Sequence, residues 1–424
     1  MTKTISRRDI MILGAATGLL GLTPFASHAA SKARIVIIGG GFGGATAART
    51  LKQLLPDTQV TLVEPNPVFT ACPFSNLVIG GLRDIEEQEF GYEGIQKLGV
   101  QIVAQTAEGV DPQSRTVTLS DDSTLAYDRL ILSPGISFRW NALEGYDESA
   151  PERLPHAWKA GQQTLLLRDQ LQAMEDGGVV VMTIPPAPFR CPPGPYERAS
   201  VIANYLKTEK PTSKLIMLDS NARFSKMPLF QEAWAEHYPD HLEWRSPSED
   251  GRVSRVSASE LTAYTDFEDI KADVMNVIPP QKAGTIAEVA GVTDATGWCP
   301  INATTFESTL QQSIHVIGDA TIASPMPKSA FSANLQGKLC AYTVASLISD
   351  QPVSPTTLAN TCYSFITPET AISVVGVYRN DDGQFSNVDG AGGISPLAAS
   401  ATIREQEARE ARSWFKTITN EAFG

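Results

Sequence analysis

The chain has 424 residues, of which 42% are hydrophobic and 19% charged, with five cysteines and a formal net charge of −13. This apolar fraction excludes a disordered chain, and the length provides for about two to four compact units. The acidic balance argues against nucleic acid or anionic lipid as a partner and favours a basic or locally positive protein.

The amino terminus reads as an export leader. Ser6-Arg7-Arg8-Asp9-Ile10-Met11 leads into an apolar run ending at Leu22, then small residues through Ser27-His28-Ala29-Ala30. That is the layout of a twin-arginine signal over residues 1–30, with cleavage near Ala29 or Ala30. The run falls well short of the ~20 residues of a membrane-spanning helix, so no integral membrane segment is expected in the mature chain. The twin-arginine route carries folded proteins, which points to a cofactor inserted before export and to an oxidising, periplasmic destination.

Residues 33–38 form a continuous apolar run of strand type, followed by Gly39-Gly40-Gly41-Phe42-Gly43-Gly44 and an alanine-rich helix through Leu55. A second strand over 59–63 ends at Glu64, completing a βαβ unit. Gly39, Gly41 and Gly44 satisfy G-x-G-x-x-G in register with strand, helix and acid. The glycines let the chain turn tightly and bring N–H groups against a pyrophosphate at a positive helix end, while Glu64 can hold ribose hydroxyls. Further strands are expected over 127–135, closing at Ser133-Pro134-Gly135, and over 314–319, ending in Gly318-Asp319. Alone, Asp319 reads better as an ordinary turn cap.

A second βαβ pattern spans 178–218, but its first strand runs into Pro185-Pro186-Ala187-Pro188-Phe189-Arg190-Cys191-Pro192-Pro193. Prolines remove N–H donors and add bulk where a pyrophosphate must lie close, so nicotinamide binding is not expected there. The expected fold class is α/β. It has two Rossmann-like domains, residues 33–155 with 275–350 and residues 156–274, plus a smaller C-terminal α+β interface domain over 351–424. The order of motifs resembles that of flavin disulfide reductases. It implies FAD in the first domain, with Gly135 as the tight-turn glycine and Asp319 reaching the ribityl and phosphate region.

Cys72, Cys191, Cys299, Cys340 and Cys362 include no C-x-x-C pair and no C-x-x-C-H, so the chain carries neither a local dithiol nor its own c-type haem, and no metal site is expected. By themselves the cysteines read as buried thiols or a structural disulfide. Nearly the whole mature chain, however, resembles the flavoprotein subunits of flavocytochrome c sulfide dehydrogenases. The likeness is carried by Phe189-Arg190-Cys191-Pro192-Pro193-Gly194-Pro195-Tyr196-Glu197-Arg198, Leu154-Pro155-His156-Ala157-Trp158-Lys159-Ala160-Gly161, Ile278-Pro279-Pro280-Gln281, Gly297-Trp298-Cys299-Pro300, Pro325-Met326-Pro327-Lys328-Ser329-Ala330 and Asn360-Thr361-Cys362-Tyr363-Ser364.

The resemblance implies that Cys72 bonds covalently to the flavin and that Cys191 and Cys362 form a redox-active disulfide, with Glu197 as an acidic group beside it. Lys328 is expected near the flavin's pyrimidine end, and Trp414 as an aromatic brought near the flavin by the tail. Read without the resemblance, Glu197 is a helix-start carboxylate, Lys328 a surface cation and Trp414 a core anchor. The implied function is oxidation of hydrosulfide, with electrons handed singly to a separate c-type cytochrome subunit. Two alternatives stand beside it: a sulfide:quinone oxidoreductase, disfavoured by the densely charged stretch 404–412, and a non-catalytic redox accessory of a sulfur-oxidising system.

Overall fold

A computed structural model describes residues 33–355 and 357–424; the leader expected over 1–30 lies outside the described residues. In chain order, β1 (Arg34–Ile38), α1 (Phe42–Leu54), β2 (Gln59–Val63), α2 (Ser75–Ile79), β3 (Gln101–Val103) and β4 (Arg129–Leu132) come first. They are followed by α3 (Gln162–Ala173), β5 (Val179–Ile184), α4 (Gly194–Glu209), β6 (Lys214–Asp219), α5 (Met227–His237), β7 (Leu242–Arg245) and β8 (Val274–Val277). The chain closes with β9 (Ile314–Val316), α6 (Ala330–Ile348), β10 (Thr357–Phe365), β11 (Ala371–Asp381), β12 (Gln384–Asn387), β13 (Gly393–Ile394) and α7 (Ala401–Phe423).

Ile35, Val36, Ile37 and Ile38 are all buried, as a central parallel strand covered on both faces requires. The first sheet is wholly parallel in the order β9-β4-β1-β2-β3, with Val36 opposite Thr61 on one side and Leu130 on the other. The chain leaves β1 towards β2, while β4 joins on the opposite side. The glycine loop therefore lies at the switch point, the place where such sheets open a crevice beyond their carboxyl ends. The second sheet is also parallel, β7-β6-β5-β8, and the C-terminal unit is an antiparallel sheet in which β11 pairs with β10, β12 and β13.

One expected boundary moves. Residue 275 falls inside β8, whose Met275 sits opposite Val181 in the second sheet. The crossing back comes later, where Gln281–Ala283 pairs antiparallel with Ile136–Phe138. An apolar stretch such as Val274-Met275-Asn276-Val277 satisfies the interior of either sheet, so hydrophobicity alone does not choose between them.

Two helices bind the units together. α6 runs so close to α1 that a methyl group on Gly337 would lie 2.5 Å from the carbonyl oxygen of Gly43, and Asn334 donates to Thr46 Oγ1 at 3.0 Å. α7 docks through its aromatics: Phe415 stacks on Phe74 with ring centroids 4.7 Å apart, and Phe423 stacks on Phe69 and Phe90 at 5.3 and 5.4 Å. Such pairs add specificity beyond the apolar area they bury.

Candidate active site

The glycine loop has the form a dinucleotide needs. Gly39 adopts φ +97°, and a methyl group there would collide with the Ser133 carbonyl. A methyl group on Gly44 would collide with the carbonyl oxygen of Gly39, so the first turn of α1 can reach the loop only because neither position has a side chain. Gly41 is the N-cap of α1, which has no side-chain cap and no acid in its first turn. Its leading N–H groups and dipole are thus left to an anionic ligand. Glu64 Oε2 accepts the Gly40 N–H at 2.9 Å, and Oε1 accepts from the Asn66 N–H and Nδ2, which anchors the acid at the end of β2. Tyr92 covers the loop, donating its hydroxyl to the Gly40 carbonyl at 3.1 Å.

Beyond this cradle the structure brings together residues far apart in sequence. Asp319, in the turn after β9, is half-buried; its Oδ1 is buried with no hydrogen-bond partner among the described residues, and Oδ2 lies 3.9 Å from Arg190 Nη1. Burial pushes its carboxyl above the usual carboxylate range, while Arg190 and Lys328 pull against this. A buried, unsatisfied carboxylate oxygen next to the glycine cradle fits a ligand carrying hydroxyl groups. Arg190 also donates to Cys72 Sγ at 3.2 Å and to the Trp158 carbonyl, joining Cys72 to the Asp319 end of the site. Gly135, at φ +63°, leaves open space where a side chain would stand.

Lys328 is not a surface cation. Burial brings its pKa down to about 8, and its ammonium donates to the carbonyls of Asp319 and Thr321 at 2.9 and 2.6 Å while lying 3.8 Å from the Trp298 ring centroid. Trp414 is partly buried among Phe74 and Tyr363, at centroid distances of 6.5 and 6.1 Å, and its buried Nε1 has no partner among the described residues. It stands next to the strand that carries Cys362.

Cys191 and Cys362 come together as a pair of half-buried free thiols, each acting on the other's ionisation. Cys191 adopts φ +54°, its N–H donates to the Lys328 carbonyl at 2.8 Å, and its own carbonyl accepts from Gly194, making a tight turn into α4. A methyl group on Gly194 would press to 3.1 Å from Cys191 Sγ and 2.9 Å from the Trp158 ring. Cys362 comes from β10, opposite Val374 of β11. Cys299 and Cys340 are buried free thiols elsewhere in the core.

Glu197, in the first turn of α4, is 8% exposed. Its Oε1 accepts the Phe365 N–H at 2.9 Å and its Oε2 accepts from Asn76 Nδ2 at 2.8 Å. Burial nevertheless raises its pKa, so it can take up a proton nearer neutrality than an ordinary glutamate. Two cations that sequence reasoning passed over complete the cluster. Arg198, its pKa brought to about 9 by burial, donates to Asn76 Oδ1, the His156 carbonyl and Asn276 Oδ1. Lys226, buried at the N-cap of α5, donates to Ser364 Oγ at 2.8 Å. The available signal was Arg190 and Arg198 flanking Cys191 and Glu197 in one short segment; Lys226 carries no motif.

The second sheet is built differently where a nucleotide would lie. Asp219, the acid that ends β6, is buried and accepts from Tyr196 Oη, Trp244 Nε1 and Asn221 Nδ2 at 2.8, 3.1 and 2.9 Å. Its carboxylate faces inward, unlike Glu64. Among the described residues there is no cluster of His, Cys, Asp and Glu suited to a metal ion, and no helix long and apolar enough to cross a membrane.

Comparison with known proteins agrees with this geometry. Residues 33–171 match the family described as pyridine nucleotide-disulphide oxidoreductase, 164–279 the central part of the sulfide dehydrogenase [flavocytochrome c] flavoprotein chain, and 354–423 the flavin-binding part of flavocytochrome c sulphide dehydrogenase. The flavoprotein chain of the sulfide dehydrogenase from Chlorobaculum thiosulfatiphilum is 58% identical over 45 residues, 11% of this chain and 94% of that sequence. A mitochondrial sulfide:quinone oxidoreductase from Dictyostelium discoideum is 21% identical over 72% of this chain and 69% of its own. The crystal structure of the sulfide:quinone oxidoreductase from Aquifex aeolicus superposes with a TM-score of 0.73 at 19% identity, covering 92% of each chain, which shows the fold. The chain is therefore an FAD protein, and it belongs to the flavoprotein-chain family of flavocytochrome c sulfide dehydrogenase.

Proposed function

We propose that this chain is a periplasmic sulfide dehydrogenase flavoprotein, exported by the twin-arginine route, that oxidises hydrosulfide at Cys191 and Cys362 and delivers the electrons one at a time to a separate c-type cytochrome. The observation that carries the reading is the meeting of Cys191 and Cys362, one from the turn into α4 and the other from β10, beside Glu197 and the Arg190–Asp319 end of the FAD site. Bound FAD supplies an acceptor that takes two electrons together and returns them singly.

Every other step falls to the chain's own side chains. The glycine cradle, Glu64 and Asp319 hold the cofactor, and Cys72 tethers it through a thioether, retaining it where none is resupplied. In the oxidised protein Cys191 and Cys362 are joined. Hydrosulfide, a small anionic nucleophile, opens that bond to leave a persulfide on one sulfur and a thiolate on the other. Glu197 takes up or relays the accompanying proton, a task suited to a carboxyl whose pKa is raised by burial. Asp219 turned inward and the prolines after β5 speak against nicotinamide as donor or acceptor.

The test is steady-state reduction of cytochrome c by sulfide with the purified FAD-loaded protein. Turnover is expected with the wild type and should be lost in Cys191→Ser; full activity in that variant would rule out the disulfide route, and no turnover in the wild type would favour a redox accessory. A membrane quinone is the second reading for the acceptor, favoured by the exposed Ile394, Leu397 and Ile403 near the start of α7. Against it stands the run of charged residues over 404–412. Faster reduction of a soluble quinone than of cytochrome c would decide for it.

A further inference from the structure

The thiol pair is not symmetric, because a buried ammonium attends one of its sulfurs. Lys226 is 4% exposed, and its backbone takes φ +62°, which aims the side chain inward from the N-cap of α5. Nζ donates to Ser364 Oγ at 2.8 Å and to the Ile372 carbonyl at 3.4 Å. Cys362 and Ser364 are two residues apart on β10, so their side chains point to the same face of the sheet. The cation therefore lies on the face that carries the redox sulfur. Both hydrogen-bond acceptors are neutral, so its charge acts on the nearby ionisable groups: Cys362, Glu197, Cys191 and Glu407. A lysine kept charged at this depth needs such anions, since burial alone lowers its pKa.

The other charges around the pair do not offset this bias. Arg190, the cation closest to Cys191 in effect, is shared with Cys72 Sγ, the Trp158 carbonyl and Asp319. Arg198 is engaged by Asn76, His156, Ala157 and Asn276. Glu197 acts with the same sign on both sulfurs. Glu407, on α7, acts on Lys226 less than Cys362, Glu197 and Cys191 do, and accepts from Ser373, Ser395 and Arg404. The neighbouring Cys191 and then Lys226 hold the Cys362 thiol down, whereas the neighbouring Cys362 and burial push the Cys191 thiol up.

We infer that Lys226 is a positioning residue that fixes the polarity of disulfide opening: hydrosulfide bonds to Cys191, and Cys362 leaves as the thiolate. This rests on the sulfide reading of the site given above. The sulfur of HS⁻ forms a bond to Cys191 Sγ while the Cys191–Cys362 bond breaks. The products are a Cys191 persulfide, which keeps the proton of HS⁻, and the Cys362 thiolate. A lone pair of HS⁻ makes the new S–S bond and the bonding pair of the old one leaves on Cys362, so the incoming sulfur rises from −2 to −1 as the Cys362 sulfur falls from −1 to −2, and the charge is −1 on each side. Attack in the opposite sense would leave the negative charge on Cys191, away from the ammonium.

The experiment is pH-dependent alkylation of the FAD-loaded protein, reduced with dithiothreitol under anaerobic conditions, with iodoacetamide modification of the Cys191 and Cys362 peptides followed by mass spectrometry. Cys362 is expected to react at lower pH than Cys191. Lys226→Met should slow Cys362 at neutral pH about tenfold, the change in thiolate fraction for one pKa unit, and Lys226→Arg should restore most of the rate. Simultaneous titration of the two cysteines, earlier reaction of Cys191, or an unchanged Cys362 rate in Lys226→Met would overturn the inference. Should Lys226→Met not fold, the wild-type order still decides. In sulfide-treated wild type, the added sulfur is expected on the Cys191 peptide, and finding it on the Cys362 peptide refutes the polarity. Added sulfur on neither peptide, with the thiol order intact, removes the sulfide step itself while leaving the effect of Lys226 on Cys362 standing.

Discussion

Replacing Glu197 with glutamine separates the burial of this carboxyl from its charge. The two groups have nearly the same shape, but the carboxylate accepts from both the Phe365 N–H and Asn76 Nδ2, whereas an amide offers one acceptor and turns an NH₂ towards the other donor. In acid the protonated carboxyl still turns an oxygen to each donor, whereas the amide turns an NH₂ to one; an unmade buried hydrogen bond costs about 1–3 kcal/mol, so the variant should be the less stable protein there. Burial raises the pKa of Glu197, so the stability tied to its protonation is fully present below the ordinary carboxylate range and is lost as pH rises through the folded value. Glutamine has no such loss. The variant should therefore gain on the wild type with rising pH, by about 1.4 kcal/mol for each unit that the folded pKa exceeds the unfolded one. Thermal melts of both proteins from acid to mildly alkaline pH read this directly. If the variant instead falls further behind as pH rises, Glu197 is a carboxylate stabilised by its pocket and is unsuited to proton uptake. Sulfide turnover should also fall, by about 10²–10⁴-fold for loss of a positioned acid or base.

Gly44→Ala places a methyl group against the carbonyl oxygen of Gly39. It should cost about 1–3 kcal/mol by overpacking and lower FAD content more than the melting temperature alone accounts for, as absorbance of the purified protein would show. Cys72→Ser should bind FAD that is released into the supernatant on acid precipitation, while wild-type FAD stays with the pellet; complete release from the wild type would mean no tether. Lys328 has its pKa lowered from 10.5 to about 8 by burial, so the stability tied to its neutral form is present above 10.5 and is lost as pH falls through 8. Lys328→Met should gain on its parent as pH falls through that window, measured by thermal melts of FAD-free protein in the Cys72→Ser background; a difference independent of pH would contradict the burial argument.

Much of the flavin half could be read along the chain because its signals are local. The apolar run of β1, the three glycines and Glu64 lie within one short βαβ unit, and each has a steric or hydrogen-bonding reason to be where it is. The crossing between sheets was less visible, because β8 satisfies either interior and only pairing with β5 assigns it. The thiol pair could be anticipated only through resemblance, since Cys191 and Cys362 carry no common spacing. The cations around them were harder still. Lys226 reaches β10 by a left-handed turn at the start of α5, a tertiary placement that leaves no periodic trace. Arg190 and Arg198, by contrast, flank Cys191 and Glu197 openly, and two arginines beside a cysteine and a glutamate are a legible warning of a charged, buried cluster.

The most direct measurement is an anaerobic titration of the oxidised, FAD-loaded protein with sulfide, followed by the visible absorbance of the flavin, in the wild type and in Cys362→Ser. The expected result is bleaching at about one equivalent of sulfide per flavin in the wild type and at least a hundredfold slower bleaching in the variant, the scale of a lost covalent step. Bleaching at the same rate in both proteins, or none in the wild type, would contradict a sulfide oxidation that runs through this pair of cysteines.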